Sequence, residues 1–159
     1  MTVTWVKGWV GATDGESSMA HWKQQTLSGN RHFDAGEHAR ALDYYQQALW
    51  LARQQFACWP DADEAVAALV VAHHNLADLL VAMTLPDRAA DMLCHVHDCL
   101  LATSQSPARP DPLRAAALRH SRGTRTELLA FVQKHGHHDG ILRCLGQCQC
   151  QTEPAHRLH

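Results

Sequence analysis

Residues 29–56 read GNRHFDAGEHARALDYYQQALWLARQQF, a stretch that describes two helices folded back on each other. The first arrives from Met19 and runs to about Asp34. Gly36 follows, a residue that takes positive φ at little cost and so ends a helix in a tight turn. The second begins near Glu37 and carries Ala41, Leu42, Tyr45, Ala48, Leu49 and Ala52. Their spacing of three and four places them on one face. Gly29 and Ala41 are small enough for the two helices to approach closely.

Working outward, residues 1–18 hold Gly8, Gly11, Gly15 and two Trp without helical period, and read as an irregular N-terminal arm. Ser17 or Ser18 is the expected N-cap of the helix at 19–34, with Trp22 and Leu27 packing inward. After the pair, Cys58-Trp59-Pro60-Asp61 breaks the pattern, and Asp61 with Glu64 three residues on is a capping signal. A third helix, 62–83, carries Ala65, Leu69, Ala72, Leu76, Leu80 and Met83 as a stripe. Pro86 opens a fourth, 86–103, with Ala89, Leu93, Val96 and Leu100. Asp111-Pro112 reads as an N-cap and first helical position for a fifth, 112–134, with Leu113, Ala116, Ala117, Leu128, Leu129 and Val132 as its apolar residues. Gly136 and Gly140 bracket a turn before a short sixth helix at 139–147.

Gly29, Gly36, Ala41, Tyr45 and Ala48 stand at the offsets of the tetratricopeptide repeat (TPR) family, a helix–turn–helix unit of about 34 residues. The stretch resembles that family, departing from it at Ser28 and His32, where Leu and Tyr are usual. Leu76-Ala77, Leu80, Ala89, Leu93 and Val96 resemble a second repeat. Gly29 to Ala41 and Ala77 to Ala89 are both 12 residues apart, but the two units are offset by 48. The resemblance implies an all-α protein of stacked antiparallel hairpins, a short solenoid of five to six helices. It also implies a concave groove that takes an extended protein or peptide partner. A carboxylate-binding subset of the family uses Asn, Lys and Arg there, since an anion in a partly buried groove wants amide donors and a charge. Asn30 and Asn75 fall on the two Asn positions. Thr26 stands where Lys is usual, with Lys23 one turn earlier as its substitute, and Arg119 and Arg122 are the candidate further cations.

Composition bounds the alternatives. A chain of 159 residues with 46% hydrophobic content is about one domain with a real core. Apolar runs are shorter than a membrane-spanning helix needs, and the N-terminus lacks a signal-peptide core, so a cytoplasmic protein without membrane contact is expected. Net charge is −2, with 6 Lys/Arg against 12 Asp/Glu in residues 1–103 and 8 against 4 in residues 104–159. Arg109, Arg114, Arg119, Arg122 and Arg125 keep no single face, and no nucleic-acid-reading motif accompanies them. There is no phosphate loop, GxSxG elbow or HExxH pair. His73-His74 and Asp78 lie at helical spacing with no nucleophile beside them, so catalysis is not expected.

The chain is rich in His (13) and Cys (6). His137, His138, Cys144, Cys148 and Cys150 cluster in the tail, and thiolate and imidazole suit Zn²⁺ or Cu⁺. The fourth helix adds Cys94, His95, His97, Asp98 and Cys99. The expected layout is an arm at 1–18, a TPR-like helical domain at 19–135 and a His/Cys-rich tail at 136–159. The expected function is a protein-interaction module: adaptor, scaffold or chaperone, without a required cofactor, with self-association through an exposed end of the stack as a further option. The alternative is a metal-binding or metal-responsive protein that holds zinc in the tail.

Overall fold

The computed structural model describes residues 16–149. They form six helices: α1 (Glu16–Asp34), α2 (His38–Gln55), α3 (Ala62–Ala82), α4 (Pro86–Gln105), α5 (Asp111–His135) and α6 (Asp139–Gln149). No strand occurs among the described residues. Each helix packs on the one before it, α5 also rests on α3, and α6 lies mainly on α4.

The turns follow from single residues. Gly36 adopts φ +76°. Its N–H donates to the Phe33 carbonyl at 3.0 Å, and the Glu37 N–H donates to the His32 carbonyl at 2.9 Å. This pair of bonds satisfies the last carbonyls of α1. The α3–α4 turn repeats it: Thr84 N–H donates to Val81 and Leu85 N–H to Leu80, at 2.9 and 2.8 Å. Here the residue at positive φ is Thr84, at 59°. Asp61 caps α3 as its spacing with Glu64 suggests, its carboxylate accepting the Glu64 N–H at 3.0 Å. At α5, Pro110 occupies the cap position and Asp111 already lies in the first turn.

α1 begins at Glu16, so Ser17 and Ser18 lie inside the helix and do not cap it, and the last residues assigned to the arm are helical. Residues 1–15 lie outside the described residues. The inward face of α1 is also one residue off the expected one. Trp22 and Thr26 are buried, whereas Leu27 is 45% exposed. Gly29 completes that face, and the Tyr45 ring lies directly on it: a Cβ there would stand 2.4 Å from the ring. The Tyr45 hydroxyl donates to Asn30 Oδ1 at 2.7 Å.

The core lies in two buried clusters. Trp22, Tyr45, Ala65, Leu69, Ala72, Leu76, Val96, Leu100 and Ala116 belong to one buried cluster, and Leu93, Leu128, Phe131, Ile141 and Cys144 to a second at the α6 end. α3 is long and apolar enough, at 21 residues and mean hydropathy 1.6, to meet the compositional test for a membrane-spanning helix, which its sequence was not expected to do. It is the central helix here, packed against α2, α4 and α5. α5 departs from its expected stripe: Leu129 is exposed, and Ser121 and Thr124 are buried between Ala117 and Leu128. Thr124 Oγ1 donates to the Ser121 carbonyl at 3.0 Å and lies 2.7 Å from His97 Nδ1, from which it accepts.

Candidate functional site

α3 and α5 leave an open cleft between them. Its first part, about 430 Å³, is lined by Asp63, Ala67, Val70, Val71 and His74 of α3 and by Arg119, His120, Gly123, Thr124 and Glu127 of α5. A second part, about 360 Å³, continues past the shared His74 and Glu127 to Asn75, Asp78, Phe131 and Lys134, with Phe33 of α1 at its edge. The mouth is polar. Arg119 Nη2 and His120 Nε2 converge on Asp63 Oδ1 at 3.2 and 3.0 Å. Burial pushes the Asp63 carboxyl up, but hydrogen bonds from His120 and Arg119 outweigh it and hold it below the usual carboxylate range. The floor beyond is apolar, made by Ala67, Val70 and Val71.

In the first part lies Gly123, where an added Cβ would meet nothing within 4 Å among the described residues. Opposite it, His74 Nε2 is buried with no hydrogen-bond partner among the described residues. Burial lowers the His74 pKa to about 4, so its ring is neutral at physiological pH. Further along, Asp78 and Glu127 bring two carboxylates to one place. Burial, and then the charge of Glu127, raise the Asp78 pKa, with Lys134 opposing. Neither carboxylate has an ion-pair partner within 4.0 Å among the described residues.

The expected carboxylate-binding residues are dispersed. Thr26 is fully buried under α1, and its hydroxyl cannot face a groove. Asn30 is held by Tyr45 and lies with Lys23 on a surface that, among the described residues, α1 forms. Asn75 lines the second part of the cleft. Arg119 is engaged by Asp63, and Arg122 is exposed on α5. The cleft therefore presents an acidic pair where the resemblance implied cationic and amide donors.

The proposed metal ligands are likewise apart. His137 Nε2 lies 2.7 Å from Asp139. His138 Nδ1 accepts the Ile141 N–H at 3.3 Å, capping α6, and its Nε2 faces Asp87 of α4 at 3.5 Å. The Cys148 side chain and Cys150 lie outside the described residues. Among the described residues, no group of three or more His, Cys, Asp or Glu is arranged to hold a metal ion. Cys144 turns instead into the α4 interface. Its thiol donates to Asp98 Oδ1 at 3.2 Å and lies 3.9 Å from the Cys94 carbonyl oxygen. The proximity of Cys94 and Cys144 lowers the pKa of Cys94 and raises that of Cys144; burial and Asp98 push Cys144 further up.

A family model described as a protein of unknown function, DUF2753, matches residues 20–158. The chain belongs to the DUF2753 family. The DUF2753 match spans both the cleft and the cysteines between α4 and α6. No curated protein and no solved structure matches the chain.

Sequence reasoning missed the cleft's central feature. Gly123 sits in SRGTRTEL, a segment without apolar periodicity inside the expected fifth helix. A glycine inside a helix costs about 1 kcal/mol relative to alanine, and that local cost was the available signal. Glu127 carried none, because its pairing with Asp78 depends on how α5 lies across α3.

Proposed function

We propose that this chain is a protein-interaction module that takes a segment of a partner protein into the α3–α5 cleft, as an adaptor, scaffold or chaperone built from TPR-like hairpins. Gly123 carries the reading. It exposes bare helix backbone in the first part of the cleft although a methyl group there would meet nothing among the described residues. Glycine at such a place permits close approach of an incoming chain. The recurrence of the same turn at Gly36 and Thr84, offset by the 48 residues that relate Ala41 to Ala89, supports the hairpin-repeat part of the reading.

The lining also indicates the occupant. Val70 and Val71 suit an apolar side chain, and the carboxylates of Asp78 and Glu127, without an ion-pair partner among the described residues, suit a Lys or Arg a short distance along. The partner segment is therefore apolar and basic.

Selection from a displayed peptide library on the full chain tests this. Selected peptides should combine apolar with basic residues. They should lose binding to Gly123→Phe, which fills the cleft, and weaken on Glu127→Lys, while Gly123→Ala retains them. Peptides that ignore Gly123→Phe, or that carry an essential acidic C-terminus, would overturn the reading. Loss on Trp50→Ala alone would move the site to the groove between α2 and α4, where Trp50 is 61% exposed.

A further inference from the structure

The interface between α4 and α6 holds a second piece of chemistry, independent of the cleft. Cys94 is partly exposed on α4, and Cys144 is 4% exposed on α6. Fifty residues separate them in the chain. Asp98 follows Cys94 by one helical turn, so both lie on the α4 face that α6 covers, and the Cys144 thiol donates to that carboxylate at 3.2 Å. The Cys144 sulfur also lies 3.9 Å from the Cys94 carbonyl oxygen. A disulfide needs sulfurs that can meet, and the packing of α6 on α4 brings the Cys144 sulfur against the Cys94 backbone.

We infer that Cys94 and Cys144 are a reversible thiol–disulfide pair that fastens α6 to α4, oxidised by a small disulfide of the glutathione class. Cys94, the more exposed sulfur, attacks as thiolate on one sulfur of glutathione disulfide. The oxidant's sulfur–sulfur bond breaks, one glutathione leaves as thiolate, and the other stays bonded to Cys94. Asp98 then receives the proton of Cys144. The Cys144 thiolate attacks the Cys94 sulfur, and the second glutathione leaves. The two protein thiols are oxidised, the glutathione disulfide is reduced to two glutathione molecules, and the two protons lost by the protein end on them. Asp98 is placed to serve the second attack because the thiol it accepts from is the buried one, which solvent base reaches poorly.

The experiment uses the full chain with Cys148→Ser and Cys150→Ser, so that tail thiols do not compete. It is incubated with glutathione disulfide, quenched with a maleimide and mapped by mass spectrometry. A Cys94–Cys144 cross-linked peptide that vanishes on reduction is expected. Cys144→Ser and Cys144→Ala should both stop at glutathionylated Cys94, and Asp98→Asn should accumulate the same adduct before closing. Cys94→Ser should leave Cys144 unmodified. The inference is overturned if Cys94 and Cys144 both remain open to the maleimide after oxidation, or if Cys94 pairs with Cys58 or Cys99 instead.

Discussion

The hairpins α1–α2 and α3–α4 use the same turn and the same helix contact, but with different residues. Gly36 closes the first at φ +76°, Thr84 the second at 59°. The first lets Tyr45 lie on Gly29, with no room for a Cβ. The second has Ala77 and Leu93 at the corresponding positions, both in one buried cluster. A ring on a glycine and a branched chain with an alanine bring two helices together by exchanging volume between facing positions. The difference lies in tolerance. The first contact is specific for its pair, while the second hairpin carries a strained turn and, in α3, the buried His73 and the half-buried His74.

Acid should separate the hairpins most strongly. Burial lowers the pKa of both His73 and His74 from 6.5 to about 4. Between those values the unfolded chain binds more protons than the folded one. Stability is therefore full above about 6.5 and falls as pH drops towards 4, by roughly 3 kcal/mol for each residue. The first hairpin's contact stays neutral throughout, since burial, with the charges of Asp34 and Asp78, raises the Tyr45 hydroxyl. Urea midpoints measured at descending pH should show the loss, and His74→Leu should roughly halve it; a flat profile in the parent chain would remove the distinction.

The next test converts one hairpin into the other. Gly29→Ala should cost about 1–3 kcal/mol, because the added methyl meets an aromatic ring held by its bond to Asn30. In a Tyr45→Leu background, which copies the second hairpin, most of that cost should disappear. Equal cost in both backgrounds, read from chemical denaturation, would mean that the ring is not the obstacle.

The smallest effect concerns the turns. Thr84→Gly should stabilise by about 1 kcal/mol, since a β-branched residue at positive φ is strained and glycine is not. The gain is limited by glycine's own entropy and by loss of the 2.6 Å bond from Thr84 Oγ1 to the Met83 carbonyl. A drop in melting temperature would show that this bond matters more than the strain.

Helix limits were legible because the chain marks them with residues of narrow conformational meaning: Gly36, Asp61, Pro86 and Pro112 each stand within two residues of a boundary. Which face turned inward was less legible. Thr26 displaced Leu27 because the Gly29–Tyr45 contact sets the rotation of α1, and that contact joins separate helices. Thr124 is buried because His97, 27 residues earlier, supplies its partner. The candidate site was nearly invisible for the same reason. Its carboxylates, its glycine and its histidine come from helices whose crossing the pattern does not state. Cys144 reads as a neighbour of Cys148 and Cys150, but helix packing directs it to Cys94.

The succession of helices also bears on how the chain folds. Most partners are adjacent in sequence, the arrangement that allows helical proteins to fold on microsecond to millisecond timescales. The α1–α2 pair holds its closing turn and its ring contact within residues 29–45, so it can form before α3 is in place. α6 must wait for α4 across fifty residues. In native-state hydrogen exchange the protection of α6 should therefore be lost first, by an opening that leaves the other five helices closed.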